Sequence, residues 1–294
     1  MQKTWRNPGR IAAWTFLSAV IAATLFPFYW MIRTAFTPAK DLFADSTALV
    51  PSTLTTVNFE RILGLTTKAE TLAAGGTAAH LDFLLYLRNS LIYSTTIAVA
   101  QTLFCAAAGY ALSRLRFRGR QGVFALVISA LMVPPIFTLL PNFVTVKSLG
   151  WLNTWQGVLA PALLMTPFAI FFLRQFFLSV PREVEEAAYL DGAGVWRQFT
   201  RIILPMNKGP LLTIGLITAV NSWKEYLWPL LAGKDEDIRL MTAAIGILQQ
   251  SGPNTSPDWT GLMAASILTV LPVLLLLLIF GRRLVESISF TGVK

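Results

Sequence analysis

The chain has 294 residues, of which 54% are hydrophobic and 13% charged, with a formal net charge of +9. Soluble domains carry about 25% charged residues, so this composition excludes an ordinary soluble protein. Apolar residues occur in long blocks without period-2 alternation, which predicts an all-α integral membrane protein. In such a protein a basic excess usually reflects Lys and Arg in cytoplasmic loops, so nucleic-acid binding is not expected.

Six apolar segments are long enough to cross the roughly 30 Å hydrocarbon core of a membrane as helices. The first has a longer apolar core than a signal peptide has, so we expect it to remain as a span. The predicted spans are Ile11–Ile32, Asn89–Leu112, Gly122–Val146, Leu152–Leu173, Pro210–Leu231 and Leu262–Phe280.

The N-terminal tail and every second segment after it form one set of connecting segments, and the remaining segments form the other. Lys and Arg are more than twice as dense in the first set as in the second. The positive-inside rule therefore predicts that both termini are cytoplasmic. The run Arg114–Arg120 is the strongest anchor, either as a topology determinant near lipid headgroups or as a contact with a partner. The predicted parts are a cytoplasmic tail at 1–10, a first span at 11–32, an extracytoplasmic loop at 33–88, a transmembrane core at 89–281 and a cytoplasmic tail at 282–294.

The sequence contains no motif that would give the chain its own chemistry. No Walker A phosphate loop, Gly-x-Ser-x-Gly or His-Glu-x-x-His occurs, so we expect neither an ATPase site nor a hydrolase. Cys105 lies in an apolar run and is expected to be a small buried hydrophobe. His80 has no second ligand at metal spacing, so no metal site and no bound cofactor are predicted.

The most informative segment is residues 181–205, which we call the elbow and expect to be cytoplasmic. Pro181 suits the first turn of a helix, and the acidic residues after it complement the positive end of the helix dipole. Gly192 and Gly194 permit a sharp turn. Pro205 is expected to end a second short helix. The elbow should therefore be two short helices joined by a glycine turn.

The elbow resembles the Glu-Ala-Ala signature of ABC-importer permeases, with complete agreement in spacing. Further matches point to the carbohydrate-uptake branch, and within it to the smaller permease subunit of maltose-type transporters. The signature residues are Glu186-Ala187-Ala188, Gly192, Ile202 and Leu204-Pro205, and the further matches include Leu149–Thr154, Phe172–Phe177, Asp191–Ala193, Trp223, Glu225, Pro229, Leu271-Pro272 and Gly292–Lys294.

This resemblance implies a type I ABC importer transmembrane fold in a bacterial or archaeal cytoplasmic membrane. It implies four kinds of partner: a second homologous permease, two ATP-binding subunits that hold ATP and Mg, an extracellular solute-binding protein, and membrane lipid. Glu186 would pair with a basic residue of the ATPase, and Gly192 would form the turn. The implied coupling residues are Glu186, Ala187, Ala188, Asp191, Gly192, Leu204 and Pro205.

A second set of polar residues lies inside the fifth predicted span. On a continuous helix Asn221, Lys224, Glu225 and Trp228 would share one face. With Trp223 they could line a substrate pathway, the polar groups binding sugar hydroxyls and a tryptophan packing on a sugar ring. The alternatives are a structural contact with the paired permease, or a Lys224 side chain that extends to the membrane surface.

Three other functions stay open on the sequence. The family usually has Asn at the position of Lys224, so a cation there could favour a glycerol-phosphate-type solute. An intramembrane lipid-modifying enzyme would need clustered acids or histidines, whereas Glu225 is the one acid well inside a span. An ATP-independent secondary transporter would carry buried ionisable residues on several spans and matching interrupted halves, and the sequence shows neither feature.

Overall fold

The computed structural model describes residues 8–44, 48–74, 81–250 and 257–289. Within these ranges the chain forms helices and turns and no β-strand, which confirms the all-α prediction. It divides into two compact units, one of residues 1–83 with 245–271 and one of residues 84–244 with 272–294. His80, residues 1–7, most of the glycine-rich stretch 73–79, most of the turn-rich cluster 251–257 and the terminal Gly292–Lys294 lie outside the described residues.

The helices follow in chain order, with short 3₁₀ turns at Ala39–Asp41 and Glu236–Ile238 and a π turn at Phe199–Ile203. They are α1 (Pro8–Ala35), α2 (Val57–Ile62), α3 (Lys68–Ala73), α4 (Phe83–Arg114), α5 (Arg120–Ala130), α6 (Pro135–Ser148), α7 (Trp155–Leu163), α8 (Pro167–Leu178), α9 (Arg182–Leu190), α10 (Val195–Gln198), α11 (Leu204–Met206), α12 (Lys208–Trp223), α13 (Leu227–Ala232), α14 (Met241–Gln250) and α15 (Trp259–Ser289).

Three unbroken helices among the described residues are long and apolar enough to cross a membrane, within α1, α4 and α15. Three more candidate spans are bent pairs: α5 with α6 at 100°, α7 with α8 at 44°, and Val195–Met206 with α12 at 80°. Pro135 and Pro167 begin the second helix of the first two pairs, where a proline's missing N–H costs no helical bond. Length and composition therefore allow up to six spans, the number predicted.

A buried ion pair joins α2 to the start of α15 in the first unit. The two terminal nitrogens of Arg61 on α2 lie 3.2 and 3.3 Å from the carboxylate oxygens of Asp258, just before α15. Asp258 also accepts the N–H of Gly261 at 2.9 Å, which caps the start of α15. Asn58 accepts from Arg61 at 2.9 Å and donates to the carbonyls of Ala35 and Thr37. Helix α2 is therefore tied both to the end of α1 and to the start of α15.

The core of the second unit forms where α4 packs against α8 and α12. Leu173 and Phe177 on α8 are fully buried, as is Cys105 on α4, which confirms the expectation for the cysteine. A Cβ at Gly109 of α4 would lie 3.2 Å from the backbone nitrogen of Arg174, so this glycine permits the close approach of α4 and α8.

A second buried cluster joins α4, α6, α7 and α13. The connection Leu149–Thr154 leads into it, with Asn153 in the left-handed region at φ 58°. The Asn153 N–H donates to the Ala232 carbonyl at 2.8 Å, and its side-chain oxygen accepts the Lys234 N–H at 2.8 Å. This stretch, one of those that supported the family resemblance, therefore joins the start of α7 to the end of α13.

Candidate functional site

The elbow contains the two helices and the turn that the sequence predicts. Pro181 lies at the N-cap of α9, and Glu183 and Glu185 fall in its first turn. Helix α9 has two faces that differ in burial. Val184, Glu185 and Ala188 are half-buried, whereas the exposed residues are Glu183, Glu186, Ala187 and Leu190. We call the second set the outer face of α9.

The turn is a Schellman motif centred on Gly192. The Gly192 N–H donates to the Tyr189 carbonyl and the Ala193 N–H donates to the Ala188 carbonyl, both at 2.9 Å. The motif needs a left-handed residue after the helix cap, and Gly192 has φ 77°. Asp191 is the helix cap itself. Of the predicted coupling residues, Ala188 and Gly192 therefore also fix the shape of the turn.

The second arm of the elbow runs from Val195 to Met206 and corrects one prediction. Pro205 does not end this helix, because the chain continues to Met206 and bends by 80° at Asn207. A π turn directly precedes Leu204 and Pro205, and both a π turn and a proline disturb the α-helical hydrogen-bond ladder. Asn207 stabilises the bend, since its side-chain nitrogen donates to the Ile203 carbonyl at 2.8 Å.

Arg114, the last residue of α4, holds the elbow in place. One terminal nitrogen lies 3.1 Å from the carboxylate of Glu185 on α9, and the other donates to the carbonyls of Phe177 and Val180 at the end of α8. The Arg114 side chain is only 6% exposed. Sequence reasoning placed Arg114 in a topology-determining run and missed this contact, because nothing in the local pattern links it to Glu185.

A cavity of about 420 Å³ lies between α4, α8 and α12. Polar side chains from α4, from α12, from the N-cap of α8 and from the segment after α12 line it together with apolar ones. Of the residues that the structure describes, Glu225 is the single charged one in the lining. The polar lining residues are Tyr93, Gln101, Thr166, Thr218, Asn221, Ser222 and Glu225.

The structure corrects the predicted polar face of the fifth span. Helix α12 ends at Trp223, Lys224 is its C-cap, and a new helix begins at Leu227, so the set does not share one continuous helix. Asn221 and Glu225 still reach the cavity. Lys224 is exposed and is not among the lining residues.

The two tryptophans of that set have structural surroundings. Trp228 is buried in the α7–α13 cluster, and its indole N–H donates to the Val158 carbonyl at 3.0 Å. Trp223 is also buried. The aromatic rings that do line the cavity are Tyr93 on α4 and Phe168 at the start of α8. Glu225 has a local role as well, since its carboxylate accepts a hydrogen bond from the backbone N–H of Trp228 at 3.4 Å.

The comparisons with known proteins agree with this architecture. A family model described as "Binding-protein-dependent transport system inner membrane component" matches residues 103–290. The arabinooligosaccharides transport system permease protein AraQ of Halalkalibacterium halodurans is 32% identical over 92% of this chain and 91% of its own length. The trehalose/maltose transport system permease protein MalG of Thermococcus litoralis is 30% identical over 95% of this chain and 94% of its own.

Two further matches bear on substrate and fold. The sn-glycerol-3-phosphate transport system permease protein UgpE of Escherichia coli is 29% identical over 93% of this chain and 94% of its own. The crystal structure of a bacterial ABC transporter involved in the import of the acidic polysaccharide alginate superposes with a TM-score of 0.77, over 96% of this chain and 99% of that one. At 19% identity this likeness shows the type I importer permease fold alone.

Fold and sequence together define a multi-pass cell membrane protein of the ABC transporter permease class. The chain belongs to the family of binding-protein-dependent transport system inner membrane components. Members of this family are membrane permease subunits of ABC importers, as the elbow signature indicated.

Proposed function

We propose that this chain moves a sugar or oligosaccharide inward by alternating access, driven by ATPase subunits that dock on the elbow. The observation that carries the proposal is the outer face of α9, which is exposed on a helix tied to the bundle through Arg114. A second permease, two ATP-binding subunits and an extracellular solute-binding protein would complete the transporter. Their binding sites for ATP and Mg would lie outside this chain.

The surface of the elbow suits a protein partner. Leu190, Tyr189 and Trp196 are 85%, 73% and 72% exposed, so the elbow offers three large apolar side chains to an interaction surface. Glu186 and the small Ala187 lie on the outer face of α9. A partly desolvated pair between Glu186 and a basic residue of the ATPase would add specificity to this contact.

The tether supplies a path from the elbow to the cavity. A displacement of α9 acts on Glu185, and its ion pair with Arg114 transmits that displacement to the end of α4. Gln101 lies on the same helix, 13 residues from Arg114, or about 20 Å along the axis. Helices α4 and α8 both line the cavity. Arg114 ends α4 and donates to the Phe177 carbonyl of α8, so moving the elbow would reshape the cavity walls.

The chemistry of the cavity favours a neutral polyhydroxylated solute. Hydroxyl, amide and carboxylate groups can bind sugar hydroxyls, and Phe168 offers an aromatic face for a sugar ring. A phosphate ester would meet Glu225 and no cationic lining residue, so its charge would be buried unpaired. This is the reason for preferring a sugar over the glycerol-phosphate-type solute that the relative UgpE carries.

The test is purification of the tagged full-length chain from its native membrane with its bound partners. We expect ATPase activity to co-purify with the wild type and to be lost, together with solute uptake, in Glu186→Lys and Gly192→Pro. Asp235→Lys is the matched control, since Asp235 is exposed and far along the chain from the elbow. Wild-type ATPase recovery and uptake in Glu186→Lys would refute coupling through α9.

A further inference from the structure

A basic cleft lies beside the elbow, where α4 ends and α5 begins. Its volume is about 730 Å³, and five arginines line it: Arg114, Arg116, Arg118, Arg120 and Arg182. They come from the end of α4, the following linker, the start of α5 and the start of α9. Residues far apart in sequence thus meet in one cationic site, which we call the arginine cleft.

The charge of the arginine cleft is not neutralised from within. Among the described residues only Arg114 of the five has a carboxylate within 4.0 Å, the one from Glu185. No acidic residue of the described ranges lines the cleft itself. Four guanidinium groups therefore lie together without acidic partners, an arrangement that raises the potential in the cleft and attracts an anion.

Backbone donors are available in the cleft besides the exposed arginines. The first-turn residues of the 11-residue helix α5 also line the cleft, and their N–H groups precede the first helical hydrogen bonds. The N-cap Gly119 supplies no side chain to satisfy them. Guanidinium groups and a helix N-terminus are both phosphate-binding elements.

The surroundings of the cleft favour a lipid phosphate over a soluble one. The cleft lies at the end of the candidate span α4 and at the start of the candidate span formed by α5 and α6, the depth at which headgroups occur. Beyond it α5 has no buried residue, and Val123 and Leu126 of this helix expose large apolar side chains, Leu126 to 71%. Phe117 in the cleft lining is exposed as well. A ligand with an anionic head and apolar tails would satisfy both regions.

We propose that the arginine cleft is a binding site for the phosphate of an anionic phospholipid, with the acyl chains along α5. The site goes beyond a topology signal, since it is a formed cavity rather than a run of charges. It shares Arg114 with the tether to α9. A bound phosphate would therefore hold Arg114 in the position in which it pairs with Glu185.

The test uses the intact transporter, delipidated in detergent and offered equal amounts of dioleoyl phosphatidylglycerol and dioleoyl phosphatidylcholine. Native mass spectrometry then counts the lipids retained. We expect the wild type to retain phosphatidylglycerol preferentially and Arg116→Gln/Arg118→Gln to bind it about thirtyfold more weakly, as two lost phosphate contacts predict. Arg197→Gln/Arg201→Gln is the control, because it removes two exposed charges from the elbow without touching the cleft.

Three results would overturn the proposal. The first is equal retention of the two lipids by the wild type. The second is a loss in the control variant as large as that in the cleft variant. The third is displacement of phosphatidylglycerol by millimolar inorganic phosphate, which would assign the cleft to a soluble anion rather than a lipid. Co-purification of the ATPase with the cleft variant shows that it is folded and separates this test from that of the proposed coupling.

Discussion

The Schellman turn of the elbow makes a sharp prediction for the substitution Gly192→Ala. Gly192 has φ 77°, a conformation that disfavours any residue with a Cβ. An added Cβ would meet no atom within 4 Å, so the substitution introduces backbone strain and no clash. Gly194 provides the matched control, because it has φ −68° and equally open surroundings two residues away.

The expected magnitude follows from the cost of a left-handed L-residue, about 1–2 kcal/mol. Opening the turn relieves this strain, so Gly192→Ala should raise the open population of the turn about 5- to 30-fold. Gly194→Ala imposes no such strain, and its effect should stay within about 0.5 kcal/mol.

Hydrogen exchange at the Ala193 amide measures this opening directly. That amide donates to the Ala188 carbonyl, the bond that closes the turn. In the intact transporter its protection factor should fall 5- to 30-fold in Gly192→Ala and stay near the wild-type value in Gly194→Ala. Equal protection in the two variants would refute the assignment of the turn's shape to Gly192.

Three further predictions concern other parts of the chain. Arg61→Met should destabilise the first unit by about 3–5 kcal/mol, because it leaves the buried carboxylate of Asp258 unpaired, and thermal unfolding in detergent measures the loss. Hydrogen bonds from Thr67 hold the pKa of the Glu70 carboxyl below its ordinary value. In the capping box of α3 the Glu70 N–H donates to the Thr67 hydroxyl oxygen at 3.3 Å. The box is fully stabilised above the unfolded pKa of about 4.3 and weakens as pH falls through the lower folded value. The protection factor of the Glu70 amide, taken relative to the intrinsic exchange rate at each pH, should therefore fall on acidification. Glu225→Gln should alter the apparent KM for uptake, whereas Lys224→Asn should leave substrate preference unchanged.

Each of these predictions has a control and a contradicting result. Lys40→Met removes an exposed cation from the first unit and should leave the unfolding temperature unchanged; an equal loss in both variants would count against the ion pair. Thr67→Ala should abolish the pH effect at α3, and a persistent effect would have another origin. A switch in substrate preference in Lys224→Asn would place Lys224 on the pathway and reopen the case for an anionic solute.

Composition and long apolar runs were sufficient to predict an all-α membrane protein with six candidate spans. They could not reveal where a span breaks, because hydropathy averages over the residues at which the backbone turns. The run from Pro210 to Leu231 is uncharged throughout apart from Lys224 and Glu225. The helix nevertheless ends at Trp223, and a second helix begins after Tyr226, whose φ of −121° is not helical.

The elbow was predictable for a different reason, since its signals are local. A proline N-cap, a glycine after the helix and an acidic first turn each act within a few residues. The partner of Glu185 was not predictable, because Arg114 is 71 positions earlier and lay in a run already explained by topology. Contacts between distant segments need the packing of α4 on α8, which periodicity does not specify.

The two backbone hydrogen bonds at Gly192 and Ala193 have a consequence for the kinetics of assembly. Both lie inside the elbow, so its helix–turn–helix shape forms before any partner arrives. Ordering a flexible segment costs about 1–2 kcal/mol per residue, and a preorganised elbow avoids that cost on docking. Its association with a partner should therefore be that of a rigid body meeting a complementary groove, fast and reversible, with affinity set by the exposed side chains of α9.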